Sequence, residues 1–256
     1  MSRDSYLKYV VHRYQTNNHG EVLVTDYEDS LNITVEFVNT GNVRKVRLAN
    51  LKSGKVRDCE QVTTQGFGIC DIKTYADGVR LQEFKLWANM LSRCYNKDFL
   101  QKTPSYFGCT VHESFRYLSD FKIWCNQQIG FGKKDDKGRN FALDKDILVK
   151  GNKVYSPETC CFVPPELNGI LLKRETLRGS YPIGCCFDKD LGKYRSYIHL
   201  NKKRVHIGCH ETVEEAFQAY KKAKEAYIKE VAKKWKDQID PRVYEALMNY
   251  QVEITD

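Results

Sequence analysis

The sequence predicts an α+β protein assembled from several modules, because three segments of different periodicity divide it. Short runs with two-residue alternation fill Glu21 to Leu48, apolar stripes spaced three or four apart run between Leu81 and Gly130, and a strand-rich stretch from Tyr181 leads into a long helical stripe. At 256 residues with 41% hydrophobic side chains, the chain suffices for one large domain or two to three small ones with real cores.

The first segment reads EVLVTDY, LNITVEFV and NVRKVRL, separated by Asp-Ser and Thr-Gly turns, with Ile33, Val35 and Phe37 on one face. A small antiparallel sheet or barrel within residues 1–75 follows. Its basic edge of Arg44, Lys45, Arg47, Lys52 and Lys55 suits either phosphate or plain solvation, so the module is accessory.

A helix is expected from Leu81, with Phe84, Trp87, Leu91 and Cys94 on its stripe and Asn96 as its C-terminal cap. A second helix follows Ser114, carries Phe115, Leu118, Phe121 or Lys122, and Cys125, and stops at Gly130. Between them FGCTVHE reads as a strand, and FGKKDDKGRN reads as a polar loop.

That loop leads into LDKDILVKGNKVYSPETCCFVP, residues 143–164, the most informative stretch of the chain. It reads as strand, turn, strand and helix, with Ser156-Pro157-Glu158 as the helix start, Ser as cap and Pro in the first turn. Asp144 and Asp146 supply the oxygen ligands that a hard divalent cation prefers, and the Gly151-Asn152 turn brings Asn152, Tyr155 and Glu158 back towards them. The same residues are also ordinary hairpin chemistry, so a functional and a scaffolding role both stand.

From Tyr181 to Tyr227 three strands are expected, turning at Leu191-Gly192 and at Asn201-Lys202-Lys203, followed by a helix. Thr212 and Glu215 have the spacing of a capping box, and Ala216, Ala219, Tyr220, Ala223 and Tyr227 form the apolar stripe. On the strands Lys193, Arg195, Tyr197, Lys202, Lys203, Arg204 and His206 interleave basic and aromatic side chains, as a sheet laid in a DNA groove would. The helix continues through Ile228, Val231, Ala232 and Trp235, Pro241 restarts it, and residues 237–256 form a helical tail.

Composition narrows the partners. A formal charge of +8 favours polyanions, because each lysine or arginine placed on a phosphate releases condensed counterions. No apolar run reaches the roughly 20 residues of a membrane span, and MSRDSYLKYVVHRY lacks the apolar core of a secretory signal. A soluble, cytoplasmic protein is the expectation, without a membrane partner or a small-molecule cofactor. The ten cysteines include no C-x-x-C pair, so reduced thiols acting as small buried hydrophobes are expected and structural zinc is not.

The ordered blocks WANMLSRCYN, YFGCTVHESFRYLSDF and LDKDILVKGNKVYSPETCCFVPPELN resemble a group of phage and bacterial proteins described as HNH-like endonucleases, over roughly residues 80–172. The resemblance implies a ββα-metal domain at 80–175 holding Mg²⁺ or Mn²⁺, with Asp144, Asp146 and Asn168 as metal ligands and Lys145 beside them in the catalytic set. Lys145 stands where such nucleases carry the general-base histidine, and Thr159 stands where an Asn is expected. A lysine serves as base only if burial brings its pKa from about 10.4 down to near 7. Otherwise it is a fixed charge for the phosphate, with Asp146 or His112 assisting.

The features I-G-C-x-F, G-K-Y-R-S-Y-I, N-K-K-R, I-G-C and T-x-E-E-A-x-x-A-Y within 180–236 resemble the APETALA-type DNA-binding domain of plant ethylene-response factors, which also occurs fused to phage and organellar HNH homing endonucleases. The resemblance implies that Arg195, Tyr197, Lys202, Arg204 and His206 contact double-stranded DNA. The combined expectation is a metal-dependent DNA endonuclease or nickase, acting in a phage-infected host cell and targeted by its C-terminal sheet. The alternative is a non-catalytic DNA-binding regulator with a degenerate nuclease domain. RNA binding is a third reading that the same sheet permits.

Overall fold

The computed structural model describes residues 8–172, 181–200 and 203–256, and the chain forms two compact units, Met1–Cys125 and Asn126–Asp256. The division falls inside the segment 80–175 that the sequence presents as one module. The class is α+β with several small sheets, and no barrel is formed among the described residues.

In the first unit β1 (Arg13–Gln15), β2 (Glu21–Tyr27), β3 (Ile33–Phe37) and β4 (Val43–Val46) form an antiparallel sheet in sequence order. Alternation decides which face is buried: Val22 and Val24 join Ile33, Val35 and Phe37 beneath α1 (Leu48–Lys52), which contributes Leu51. Two residues of the basic edge are already occupied. Arg44 donates to the carbonyl of Arg57, and Lys45 is ion-paired to Glu28.

Two hairpins follow, β5 (Val62–Thr64) with β6 (Gly68–Ile69), and β7 (Tyr75–Ala76) with β8 (Val79–Arg80). Gly68 is required by close approach, since a Cβ there would lie 2.4 Å from Leu91 Cδ1 and 2.6 Å from the Trp87 ring. The expected first helix is α2 (Gln82–Tyr95), which buries Trp87, Met90, Leu91 and Cys94; its Asn96 caps the next helix, α3 (Lys97–Lys102), by accepting from Phe99 N. Trp87 Nε1 donates to Phe115 O at 2.8 Å. The expected strand FGCTVHE shrinks to β9 (Thr110–Val111). The second helix begins later than expected: Phe115 closes a 3₁₀ turn, Glu113–Phe115, and α4 runs Leu118–Gln127.

The second unit opens with a polar loop that Asp135 organises by accepting from Lys137 N, Arg139 N and Arg139 Nε. Next, β10 (Ala142–Asp144) pairs antiparallel with β12 (Cys161–Val163), while β11 (Val154–Tyr155) lies between them in sequence. One expectation is corrected here, because Ser156-Pro157-Glu158 starts a turn instead of a helix. Ser156 Oγ accepts from Thr159 N and Ser156 O from Cys160 N, which turns the chain so that buried Cys161, Phe162 and Val163 can pair with β10. Burial of that apolar triplet outweighs the local cap signal. The helix α5 (Pro165–Ile170) begins only at the next proline pair.

The strands β13 (Cys185–Asp188), β14 (Lys193–Leu200) and β15 (Lys203–His210) form an antiparallel sheet in that order, followed by α6 (Val213–Trp235). The capping box of Thr212 and Glu215 is present with both reciprocal bonds. α6 buries Ala216, Phe217 and Tyr220 against Cys185 and Ile198 of the sheet, so Phe217 belongs to the stripe that the sequence assigned to alanines and tyrosines. Gly184, at φ +79°, passes so close to Tyr220 that a Cβ would lie 2.1 Å from its ring. Below this level α6 continues through buried Ile228, Val231, Ala232 and Trp235, and α7 (Pro241–Met248) buries Val243 and Leu247.

The final residues are bonded to the rest of the unit. Val252 N donates to Glu225 and Val252 O accepts from Lys221, while Lys150 Nζ reaches Gln251 O and Asp256 Oδ2. The residues 143–164 and the sheet-helix segment thereby share one compact unit with the tail.

Candidate functional sites: an acidic turn and a basic sheet face

Asp144 ends β10 with its side chain folded back on its own chain. Its Oδ1 accepts from Asp146 N and Ile147 N, both at 2.9 Å, which makes it the cap of the following turn. Burial pushes its carboxyl up to about 6, and the neighbouring Asp146 charge adds to the rise. Of the two carboxyl groups, that of Asp144 is buried and that of Asp146 half-exposed.

Lys145 is buried, and its ammonium donates to Asp146 Oδ2 at 3.0 Å and to Asn152 O at 2.9 Å, 5.9 Å from the Tyr155 ring centroid. Asn152 closes the turn from the other side. Its Nδ2 donates to Lys145 O and Val154 O at 2.7 Å each, and its Oδ1 accepts from Val154 N. Asn168 sits half-buried on α5 and makes no hydrogen bond to either acid among the described residues. His112 has its Nδ1 engaged with Ser114, where it caps the 3₁₀ turn of the first unit.

This donor set does not fit a divalent cation as it is arranged. One oxygen of Asp144 serves two backbone amides, and Asp146 already carries the Lys145 ammonium. Among the described residues no group of three or more His, Cys, Asp or Glu side chains is placed to hold a metal ion. A cation entering here would have to displace the Lys145 ammonium from Asp146, which costs that buried charge its ion pair.

The cysteines add no ligand set. All ten are free thiols, six of them buried, and Cys161 opposite Asp144 has its thiol pushed well up by burial and by that carboxyl. A cleft of about 1070 Å³ in the same unit lies elsewhere, between the Asp135–Arg139 loop, α5, the edge of β14 and α6. Its charged walls are largely paired: Lys234 meets Glu166 at 2.8 Å and Asp136 at 3.5 Å, and Trp235 Nε1 also donates to Glu166.

The basic sheet face is built by register. Cys185, Ser196 and Ile198 point to α6, and the opposite face presents Arg195, Tyr197 and His199 on β14 with Arg204, His206 and Cys209 on β15. A register shift at Ser196/Tyr197 sets Tyr197 opposite His206 and His199 opposite Arg204. The Arg204 guanidinium stacks on Tyr197, 3.5 Å from the ring centroid, and lies 3.8 Å from Cys186 Sγ. Arg195 is ion-paired to Asp188 at 2.6 Å and Lys193 to Glu211 at 2.6 Å. Lys203 is exposed at the start of β15, and Lys202 lies outside the described residues.

Two residues of this face escape a reading based on basic and aromatic content. His199 shares the strand parity of Arg195 and Tyr197, which was the signal available for it. Asp188 becomes visible only through its diagonal neighbour across the hairpin.

Comparison with known protein families, curated proteins and solved structures yields no match to this chain. Among the described residues no helix is long and apolar enough to cross a membrane.

Proposed function

We propose that this chain is a double-stranded DNA-binding protein that uses the outer face of the β13–β15 sheet, with the 143–164 turn as its scaffold. The observation that carries the reading is the exposed β14–β15 face, where stacked Arg204 and Tyr197 are flanked by His199 and His206 while α6 occupies the other side, the side to which Lys203 belongs by its pairing with Leu200. A strand ribbon of this kind fits the roughly 12 Å width of the B-DNA major groove. Stacking on Tyr197 holds the donors of Arg204 in one plane, as readout of base edges or phosphates requires. The net charge of +8 supports the same partner.

Titrating the full chain against a fluorescent random-sequence duplex over a salt series tests this. Affinity should fall with a log–log slope of about −0.9 per phosphate neutralised, and Arg204→Ala and Tyr197→Ala should weaken binding without unfolding the protein. Wild-type affinity for the duplex in both variants would refute the proposal, as would preference for single-stranded RNA in competition.

A second reading, metal-dependent phosphodiester hydrolysis of the HNH type at Asp144, Asp146 and Asn168, is favoured by the adjacent carboxyl groups and the raised Asp144. It requires Mg²⁺ or Mn²⁺ to exchange with Lys145 on Asp146. Incubating supercoiled plasmid with the protein and either metal decides: chelator-sensitive open circles that vanish in Asp144→Ala support hydrolysis, and intact plasmid leaves the binding function alone. Under either reading the segment 1–75 is an accessory β module and 180–236 is the targeting module, while 80–175 is shared between the two compact units.

A further inference from the structure

On the outer sheet face, one arginine has already been neutralised by its own hairpin. Arg195 Nη2 lies 2.6 Å from Asp188 Oδ2, and the Asp188 side chain is only 10% exposed. The pair is diagonal in the register, since Asp188 stands opposite Lys193 and Arg195 opposite Cys186. Asp188 is fixed from its other side as well. Its Oδ1 accepts from Asp190 N at 2.9 Å and Leu191 N at 3.1 Å, closing the β13–β14 turn. The carboxylate therefore cannot swing away without opening the hairpin, and the guanidinium rests on a rigid support. The pairing does not saturate that guanidinium: Nε is buried, but the ion pair runs through Nη2 alone, and Nη1 has no hydrogen-bond partner among the described residues.

We propose that Asp188 is a positioning residue that makes Arg195 a reader of base edges and not a contact for phosphate; this rests on duplex binding by the sheet face. A phosphate contact gains from net positive charge that releases counterions, and an arginine already paired to a carboxylate has little to offer. Its planar N–H donors remain, held in one orientation, and guanine presents two acceptors, O6 and N7, in the major groove. Arg204 has the opposite character. It forms no ion pair among the described residues and keeps its charge on the Tyr197 face. Lys193 is tied to Glu211, but that carboxylate is 71% exposed, so phosphate can replace it easily. One face thus separates a sequence-reading arginine from charge-supplying neighbours, with Asp188 setting the division.

The test uses the full chain in two assays: selection from a random-sequence duplex library, and binding to a poly(dA–dT) duplex between 50 and 200 mM salt. Wild-type selection should fix one G·C pair. Asp188→Asn keeps an oxygen for the Asp190 and Leu191 amides while removing the charge, so it should lose that G·C preference and bind poly(dA–dT) more tightly. Its log–log salt slope should steepen by about 0.9, so the gain over wild type shrinks roughly 3.5-fold across the salt range. Arg195→Gln should lose the G·C preference with the poly(dA–dT) slope unchanged, a separation that a structural role alone does not produce.

The proposal is overturned if wild-type selection yields no fixed G·C pair, if Asp188→Asn selects the same sequence with the same slope, or if Arg195→Gln flattens the slope by about 0.9. Those results leave duplex binding standing. A wild-type protein that retains no duplex overturns both.

Discussion

Replacing Asp144 by Asn should stabilise the second unit at neutral pH, although the substitution falls on the turn most like a catalytic centre. Asn keeps an oxygen for Asp146 N and Ile147 N, the two bonds at 2.9 Å that fix the turn, and removes a buried charge. The folded carboxyl, at about 6 against 3.8 when unperturbed, means that the native state binds more protons than the unfolded state between those values. Stability from this group is therefore lost as pH rises through that window. At about 1.36 kcal/mol per tenfold change in protonation equilibrium, the cost to the wild type is roughly 1 kcal/mol at pH 4.5 and roughly 3 kcal/mol at pH 8. The difference between Asp144→Asn and wild type should then grow by about 2 kcal/mol from pH 4.5 to pH 8, whatever fixed cost the new amide brings. Acids held below their usual range, Asp135, Glu166 and Asp240 in this unit, give the opposite trend but are common to both proteins and cancel. Urea unfolding, read by amide exchange in β12, measures the second unit by itself. A difference that stays flat or shrinks with pH would refute the burial argument for Asp144.

Substitutions at three positions probe the scaffold beneath the sheet face. Thr212→Ala removes half of the capping box on α6 and should cost about 1 kcal/mol in urea unfolding, whereas Thr212→Ser should cost little. Gly184→Ala forces a Cβ to within 2.1 Å of Tyr220 at φ +79°, so it should cost about 3 kcal/mol or more and lower the thermal midpoint of the second unit. Trp235→Phe removes the 2.8 Å bond to Glu166 while Lys234 keeps that carboxylate paired; a loss of about 2 kcal/mol is expected, and an unchanged midpoint would show the bond to be inert.

Local signals in the sequence identified what periodicity controls. Alternation at Ile33, Val35 and Phe37 placed the inner face of the first sheet, and Thr212 with Glu215 marked the start of α6. Signals failed where a distant partner decides. Ser156-Pro157-Glu158 has the chemistry of a helix start, yet Cys161–Val163 gains more by pairing with β10, and the helix is displaced to Pro165. The acidic turn shows the same limit. Asp144, Lys145 and Asp146 could be singled out by residue type, but whether they await a cation or satisfy one another depends on the Lys145 and Asn152 hydrogen bonds across the turn. On the basic face, residue type found Arg195, Tyr197 and Arg204. It could not reveal that Asp188 neutralises one arginine and Tyr197 carries the other, since both facts follow from cross-strand register.

Cys209 supplies the most direct probe of the DNA-binding face, because its thiol is exposed on β15 opposite Arg195 and 3.7 Å from His206. Alkylating the full chain with and without saturating duplex DNA, with half-buried Cys59 and Cys70 as internal references, reads occupancy of that face. Slowed modification of Cys209, and of Cys186 on the same face, with Cys59 and Cys70 unaffected and in proportion to bound duplex, is the predicted result. Bound duplex that leaves the rate at Cys209 unchanged would contradict the assignment.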